Sequence, residues 1–125
     1  SALHQGRDHQ DQRLSMTTVM FFTEGGRITG FDVSGHSGYG PEGGDIVCAA
    51  VTSTVRLAEC VINEVMGLSA AVKVRERTAE ISLRLPGSLG ESAEDTCQNL
   101  LTGMMVYLSQ LHSEYPDHIE VLEAS

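Results

Sequence analysis

The chain lacks several features by which protein classes are usually recognised. It has no tryptophan, three prolines and only three cysteines, with no CxxC pair, among its 125 residues. An odd and widely spaced set of cysteines argues against a disulfide scaffold and a zinc finger. It indicates a reducing compartment, here the cytoplasm. No run of about 18 apolar residues occurs, so we expect no membrane span and no membrane partner.

Cations are also scarce, with 8 Lys and Arg against 17 Asp and Glu and a formal net charge of −9. A nucleic-acid-binding protein usually carries a basic surface, so we expect no direct nucleic-acid partner. An acidic chain instead suits a basic protein or peptide. The apolar share of 41% is enough for one modest core.

The first part of the chain differs from the rest. Residues 1–15 are polar, without apolar periodicity, and Met16 follows them. We interpret residues 1–15 as a disordered leader or an expression tag, and residues 16–125 as a single domain. The segment carries two Arg and two Asp, so its removal would leave the net charge unchanged.

Alternating apolar residues and turn signals predict five strands. In the first hairpin, Gly25 and Gly26 form the turn, and Phe31 and Val33 face the core on the side opposite Ile28. In the last strand, Ile119 and Val121 are expected to face inward. The predicted strands are Thr18–Glu24, Arg27–Ser34, Ala71–Arg77, Thr78–Leu85 and His118–Leu122.

Helical spacing of apolar residues predicts two helices. Asp45 is the expected N-cap of the first, which runs to about Met66. Ser92 and Asp95 resemble a capping box at the start of the second, which runs to about Tyr115. Their apolar stripes are Val47, Val51, Val55, Ala58, Ile62 and Val65 in the first, and Cys97, Leu101, Met104, Leu108, Leu111 and Tyr115 in the second. The expected fold is α+β, a two-layer ββαββαβ sandwich with a mostly antiparallel sheet and two helices on one face.

The most informative segment for function is the glycine-rich stretch between the second strand and the first helix. Five of the ten residues from Gly35 to Gly44 are glycine, which predicts a mobile loop. With Asp45 as N-cap, Cys48 would lie in the first helical turn, where free amides and the helix dipole favour a thiolate. His36 precedes Cys48 by twelve residues, a distance over which the loop can fold back. Thiolate and imidazolium would stabilise each other, so the pair predicts an activated nucleophile with a general acid beside it.

The other candidate groups have simpler interpretations. Cys60 is expected to pack against neighbours and Cys97 to lie in the core, as most helical cysteines do. His112 and His118 are interpreted as surface residues. A metal site would have only His36, Asp45 and Cys48 as ligands, so the sequence predicts no metal and no cofactor.

The eighteen residues from Gly35 to Thr52, GHSGYGPEGGDIVCAAVT, resemble the ribosomal-processing cysteine protease (Prp) family of bacteria. The resemblance rests on the Gly-His pair, the glycine loop, the Asp-Ile-Val-Cys block and the spacing of twelve from His36 to Cys48. The length and element order from Met16 onward are also compatible. The family usually has serine where this chain has Thr52.

The resemblance implies a cysteine endopeptidase that removes an N-terminal extension from a basic large-subunit ribosomal protein. Cys48 would be the nucleophile and His36 the base and then the acid. Asp45 would cap the helix, orient His36, or both, and Thr52 would support the site or pack. The Cys48 amide, as a first-turn donor, would stabilise the oxyanion. The substrate loop would include Gly35, Ser37, Gly38, Gly43 and Gly44. Family members are homodimers, so we expect a homodimer.

Two other functions remain open on the sequence alone. The same acidic domain could be a binding module that holds a ribosomal protein or peptide without cutting it. In that case Cys48 would react as an ordinary thiol. A cysteine-based metal or redox site is the third hypothesis, which a metal assay would test.

Overall fold

A computed structural model describes residues 16–35 and 42–125, with side chains from Ile46 onward in the second range. Its element order is ββαββαβ, as predicted. The first helix continues without interruption into a π-helical turn, Cys60–Val65. The elements are β1 Thr17–Glu24, β2 Arg27–Ser34, α1 Glu42–Glu59, β3 Ala71–Arg75, β4 Glu80–Arg84, α2 Glu91–Glu114 and β5 Ile119–Ala124.

The five strands form one mixed sheet in the order β3-β4-β2-β1-β5. All neighbouring pairs are antiparallel except β1 and β5, which are parallel. The core joins one face of this sheet to the apolar stripes of both helices, so the expected α+β sandwich is confirmed. Its largest fully buried side chains are Phe21, Phe31, Ile62, Leu83, Leu101, Leu108 and Ile119.

Strand register defines one end of the sheet, which we call the site end. Thr17 at the start of β1 pairs with Ile119 at the start of β5. The next residue, Thr18, pairs with Ser34 at the end of β2. The site end is therefore where β1 and β5 begin, where β2 ends, and where the chain leaves the sheet towards α1.

A β-bulge in β2 changes the face of the sheet on which part of its side chains lie, so the predicted alternation is wrong there. β1 pairs Phe22 with Gly30 but Thr23 with Ile28, so Thr29 is an extra residue in β2. One extra residue reverses the alternation of side chains along a strand. Ile28 therefore shares the buried face with Phe31, whereas simple alternation predicts that it lies on the opposite face.

The apolar stripe of α1 is confirmed up to Ile62 but is wrong at Val65, which is 75% exposed. In the π-helical turn the backbone bonds span five residues, as in the bond from Met66 N–H to the Val61 carbonyl at 2.9 Å. The wider turn advances each side chain by a smaller angle, which moves Val65 off the buried face. The same turn places Asn63 against the backbone of Ala70, whose N–H it accepts at 2.7 Å and whose carbonyl it donates to at 3.2 Å.

Helix α2 has the predicted core stripe, but its start differs from the prediction. Its N-cap is Gly90, without a capping side chain, and Ser92 lies inside the helix, where its carbonyl accepts from the Thr96 hydroxyl. The predicted capping box is therefore wrong. The helix ends at Glu114, two residues before Pro116, because the residue preceding a proline is driven out of the helical region.

Helix α1 and its π-helical turn are rich in apolar residues, although Arg56, Glu59 and Glu64 interrupt them. By length and composition, Ile46–Val65 would suffice for a membrane span, with a mean hydropathy of 1.5. Val47, Val51 and Val55 from this segment lie in the protein core, however. The helix is thus the core helix of the domain, and its outer face carries further apolar side chains, such as Ile46 and Leu57.

Candidate active site

Helix α1 begins earlier than the sequence indicates. It starts at Glu42, so Asp45 is its fourth residue and not its N-cap. Gly43 and Gly44, predicted to belong to the loop, are helical. Proline is well tolerated at the beginning of a helix, and Pro41 immediately precedes Glu42 in the sequence.

The earlier start changes the position of Cys48, which becomes the seventh residue of α1. Only the first four amides of a helix lack a partner within it, so the Cys48 amide is not a free donor. The start of α1 at Glu42 therefore disfavours the expected oxyanion role of that amide, which stays a prediction. The dipole effect also fades beyond the first turn, which leaves His36 as the main candidate for activating the thiol.

Cys48 lies at the rim of the core with 9% of its surface exposed. Val47 before it and Val51 after it are fully buried, whereas Ala49 is exposed. Cys48 therefore lies at the boundary between the buried and the exposed side of α1. Thr52 is half-buried and lies one turn further along the same face of α1.

Gly35 fixes the point at which the chain leaves the sheet at the site end. Its φ is +75°, and a Cβ at this position would collide with the carbonyl oxygen of Met16. Only glycine meets both requirements without strain. The backbone of Gly35 is thus held against the start of β1, immediately before His36 in the chain. This close contact requires glycine at position 35, and the glycine-rich composition of the loop gave no sign of that requirement.

The remaining predicted site residues lie outside the described part of the chain. These are His36, Ser37 and Gly38, together with the side chain of Asp45. The dyad and its orientation by Asp45 therefore stay predictions. Among the described residues, no group of three His, Cys, Asp or Glu side chains lies close enough together to hold a metal ion.

The other two cysteines have distinct surroundings. Cys97 is completely buried in the core, as predicted. Burial raises the pKa of its thiol above the usual 9.0, the Glu94 carboxylate raises it further, and Arg27 lowers it by less. Cys60 is exposed, so its predicted role in packing is wrong. It is the first residue of the π-helical turn, where the helix phase changes.

The two C-terminal histidines differ from each other. His112 is exposed, as predicted, and its Nδ1 donates a hydrogen bond to the Ile119 carbonyl at 2.6 Å. His118 immediately precedes β5 at the site end and is half-buried, so its predicted surface position is wrong. Within the described part of the chain, its buried Nδ1 has no hydrogen-bond partner. The sequence has no signal for either arrangement, since both depend on how α2 meets β5.

The described residues thus form a small α+β fold, a five-stranded mixed sheet covered by two helices, with Cys48 as the seventh residue of the first helix. The family model for "Cysteine protease Prp" matches residues 16–120. The chain belongs to this family and is a cysteine protease. Membership disfavours a module that only binds.

Individual relatives agree with this assignment. The ribosomal processing cysteine protease Prp of Bacillus subtilis (strain 168) is 30% identical over 94 residues, which cover 75% of this chain and 84% of that protein. The S. aureus Prp structure with a substrate peptide has a TM-score of 0.75, 22% identity and coverage of 87% and 100%. SMU.848 from Streptococcus mutans has a TM-score of 0.78, 20% identity and coverage of 89% and 96%. The structural matches show a shared fold.

Proposed function

We propose that this protease removes an N-terminal extension from a basic large-subunit ribosomal protein in the cytoplasm. The observation that carries the proposal is the position of Cys48, at the rim of the core on the helix that follows the Gly35–His36 pair. The Bacillus subtilis relative is named for ribosomal processing, and one S. aureus Prp structure holds a covalently linked product peptide. A covalent product is what a cysteine nucleophile would form.

The proposed chemistry uses Cys48 and His36 in two steps. The Cys48 thiolate attacks the scissile carbonyl carbon, the C–N bond breaks, and His36 gives its proton to the departing amine. The acyl group is then held as a thioester on Sγ. His36 next takes a proton from water as the oxygen of that water attacks the thioester carbon, and the C–S bond breaks, which releases the acid and restores the Cys48 thiolate beside protonated His36. Since α1 starts at Glu42, the Cys48 amide would have a partner within the helix, and the proposal therefore uses other donors for the oxyanion.

The direct test is cleavage of the extended ribosomal protein, followed by mass spectrometry of the products. We expect Cys48→Ala and His36→Ala to abolish the mass loss. Cys60→Ala is the matched control, because Cys60 is an exposed thiol on the same helical segment and should be dispensable. Cleavage by Cys48→Ala at the wild-type rate would exclude the proposed nucleophile.

Thiol activation can be measured without a substrate. Iodoacetamide at neutral pH should modify Cys48 faster than Cys60, although Cys60 is the more exposed of the two. His36→Ala should remove this advantage. Equal or slower alkylation of Cys48 in the wild-type chain would instead support a binding module that uses the same surface.

We further propose that the enzyme acts as a homodimer through the groove between α1 and α2. The groove has a volume of about 430 Å³ and is lined by Thr54, Leu57, Ala58, Asn99, Leu100, Gly103, Met104 and Tyr107. Leu57 is 61% exposed and Tyr107 43% exposed, so apolar surface faces solvent in the isolated chain. Sedimentation should give a dimer that Leu57→Asp dissociates. Val74→Asp, at an equally exposed valine of β3, should leave it intact.

A further inference from the structure

The outer edge of β5 is open to strand pairing. In the described part of the chain, β5 has a neighbour on one side only, namely β1. The Thr17 N–H donates to the His118 carbonyl at 2.9 Å, so the backbone of residues 118, 120 and 122 faces β1. The N–H and C=O groups of Ile119, Val121 and Glu123 therefore face outward. His112 hydrogen-bonds to the Ile119 carbonyl, and within residues 16–35 and 42–125 no further strand pairs with the outward groups of Val121 and Glu123.

A groove runs beside this edge, between β5 and the outer face of α2. Its volume is about 420 Å³, and its lining is Met105, Val106, Ser109, Gln110, Ser113 and Glu123. An added strand would hydrogen-bond to the edge and place alternate side chains in the groove. The edge starts at the site end, where β2 ends and the chain leaves the sheet towards α1.

The charges along this edge indicate which kind of segment would pair with it. Glu120 and Glu123 lie exposed on β5, and Glu114 and Asp117 precede it, whereas β5 itself has no cation. A second copy of β5 would bring like charges together, which disfavours pairing with itself. Of the described cations, Lys73, Arg75, Arg77 and Arg84 belong to the β3–β4 hairpin at the opposite edge. An extended segment rich in Lys and Arg fits the β5 edge best.

We propose that the β5 edge and its groove form an accessory docking site for an extended, Lys- and Arg-rich segment of the protein substrate. The proposal rests on the proposed function, because the segment belongs to the basic ribosomal protein being cut. Docking acts on substrate binding and not on the chemical step. It therefore affects long substrates that carry the basic segment and leaves short peptides around the scissile bond unchanged.

The test compares two charge-reversed variants with the same change in net charge. Glu120→Lys/Glu123→Lys alters the docking edge, whereas Glu64→Lys/Glu76→Lys alters exposed carboxylates of the first helix and of the β3–β4 turn at the opposite edge. With the long substrate, the edge variant should raise KM on the order of tenfold at unchanged kcat. The control variant should stay near the wild type. Both should cut the short peptide normally.

A backbone variant probes strand pairing directly. Val121→Pro removes an N–H that faces outward, so the bonds between β5 and β1 remain. It should weaken binding of the long substrate, with circular dichroism confirming the fold. If this variant does not fold, the charge pair decides the outcome.

A binding measurement separates this proposal from the proposed function. Fluorescence anisotropy with a labelled Lys- and Arg-rich peptide and the Cys48→Ala chain requires no cleavage. We expect binding that Glu120→Lys/Glu123→Lys weakens about tenfold. Equal binding by the edge and control variants, or none by the parent, would overturn the docking site. Failure of the wild type to cut either substrate would instead count against the proposed function.

Discussion

Gly35 links a residue-scale constraint to the proposed site. Its φ of +75° and the Met16 carbonyl beside it leave no room for a side chain. Gly35→Ala should therefore destabilise the fold by about 1–3 kcal/mol and lower activity. Gly67→Ala is the matched control, because Gly67 has a φ of +66° but nothing within 4 Å of an added Cβ. Urea unfolding of both variants separates the effect of the collision from that of the backbone strain. If both variants lose the same free energy of unfolding, the contact with Met16 contributes nothing to the cost.

Cys97 should make stability depend on pH in the alkaline range. Its pKa in the folded state is raised above 9.0, first by burial and then by Glu94. Above that pH the unfolded chain loses this proton before the folded chain does, so the free energy of unfolding falls as pH rises. Urea unfolding between about pH 8 and pH 10.5 should show a steeper fall for the wild type than for Cys97→Ala. If the free energy of unfolding falls equally with pH in the wild type and in Cys97→Ala, Cys97 is not the cause of the fall.

At the scale of elements, one side chain joins α2 to the first hairpin. Gln98 accepts the Ile28 N–H at 2.8 Å and donates to the Ile28 carbonyl at 2.9 Å, beside the β-bulge. It also donates to Glu94, which pairs with Arg27 at 2.6 Å. Gln98→Ala leaves two backbone groups of Ile28 without their partner and should cost about 1–3 kcal/mol. Gln110→Ala, an exposed glutamine of the same helix, should be neutral in urea unfolding.

The order of elements was predictable because each depends on a local pattern. The core stripe of α2 and the alternation of β4 follow directly from residue spacing. Three features were not predictable, because each depends on contacts with distant residues: the bulge at Thr29, the π-helical turn Cys60–Val65 and the pairing of Gln98 with Ile28. For the site, sequence spacing placed Cys48 on the first helix but misplaced the start of that helix. The signal that was missed is Pro41, which immediately precedes the first helical residue.

At the scale of the whole molecule, charge is distributed unevenly across the sheet. Four of the described cations belong to the β3–β4 hairpin, and the β5 edge carries carboxylates. The net charge of −9 would attract the proposed basic substrate at long range, and the asymmetry would favour its approach from the β5 side. Such attraction acts mainly on the association rate.

Salt should therefore slow cleavage of the basic protein more than cleavage of a neutral peptide. Raising the ionic strength from about 0.05 M to about 0.5 M shortens the Debye length from about 14 Å to about 4 Å. The kcat/KM for the basic substrate should fall on the order of tenfold, since encounter loses its long-range attraction. A short uncharged peptide with the same scissile bond is the control, because its encounter does not depend on the enzyme's field. If kcat/KM falls equally for both substrates, salt acts on the active site or on the dimer and not on the long-range attraction by the net charge.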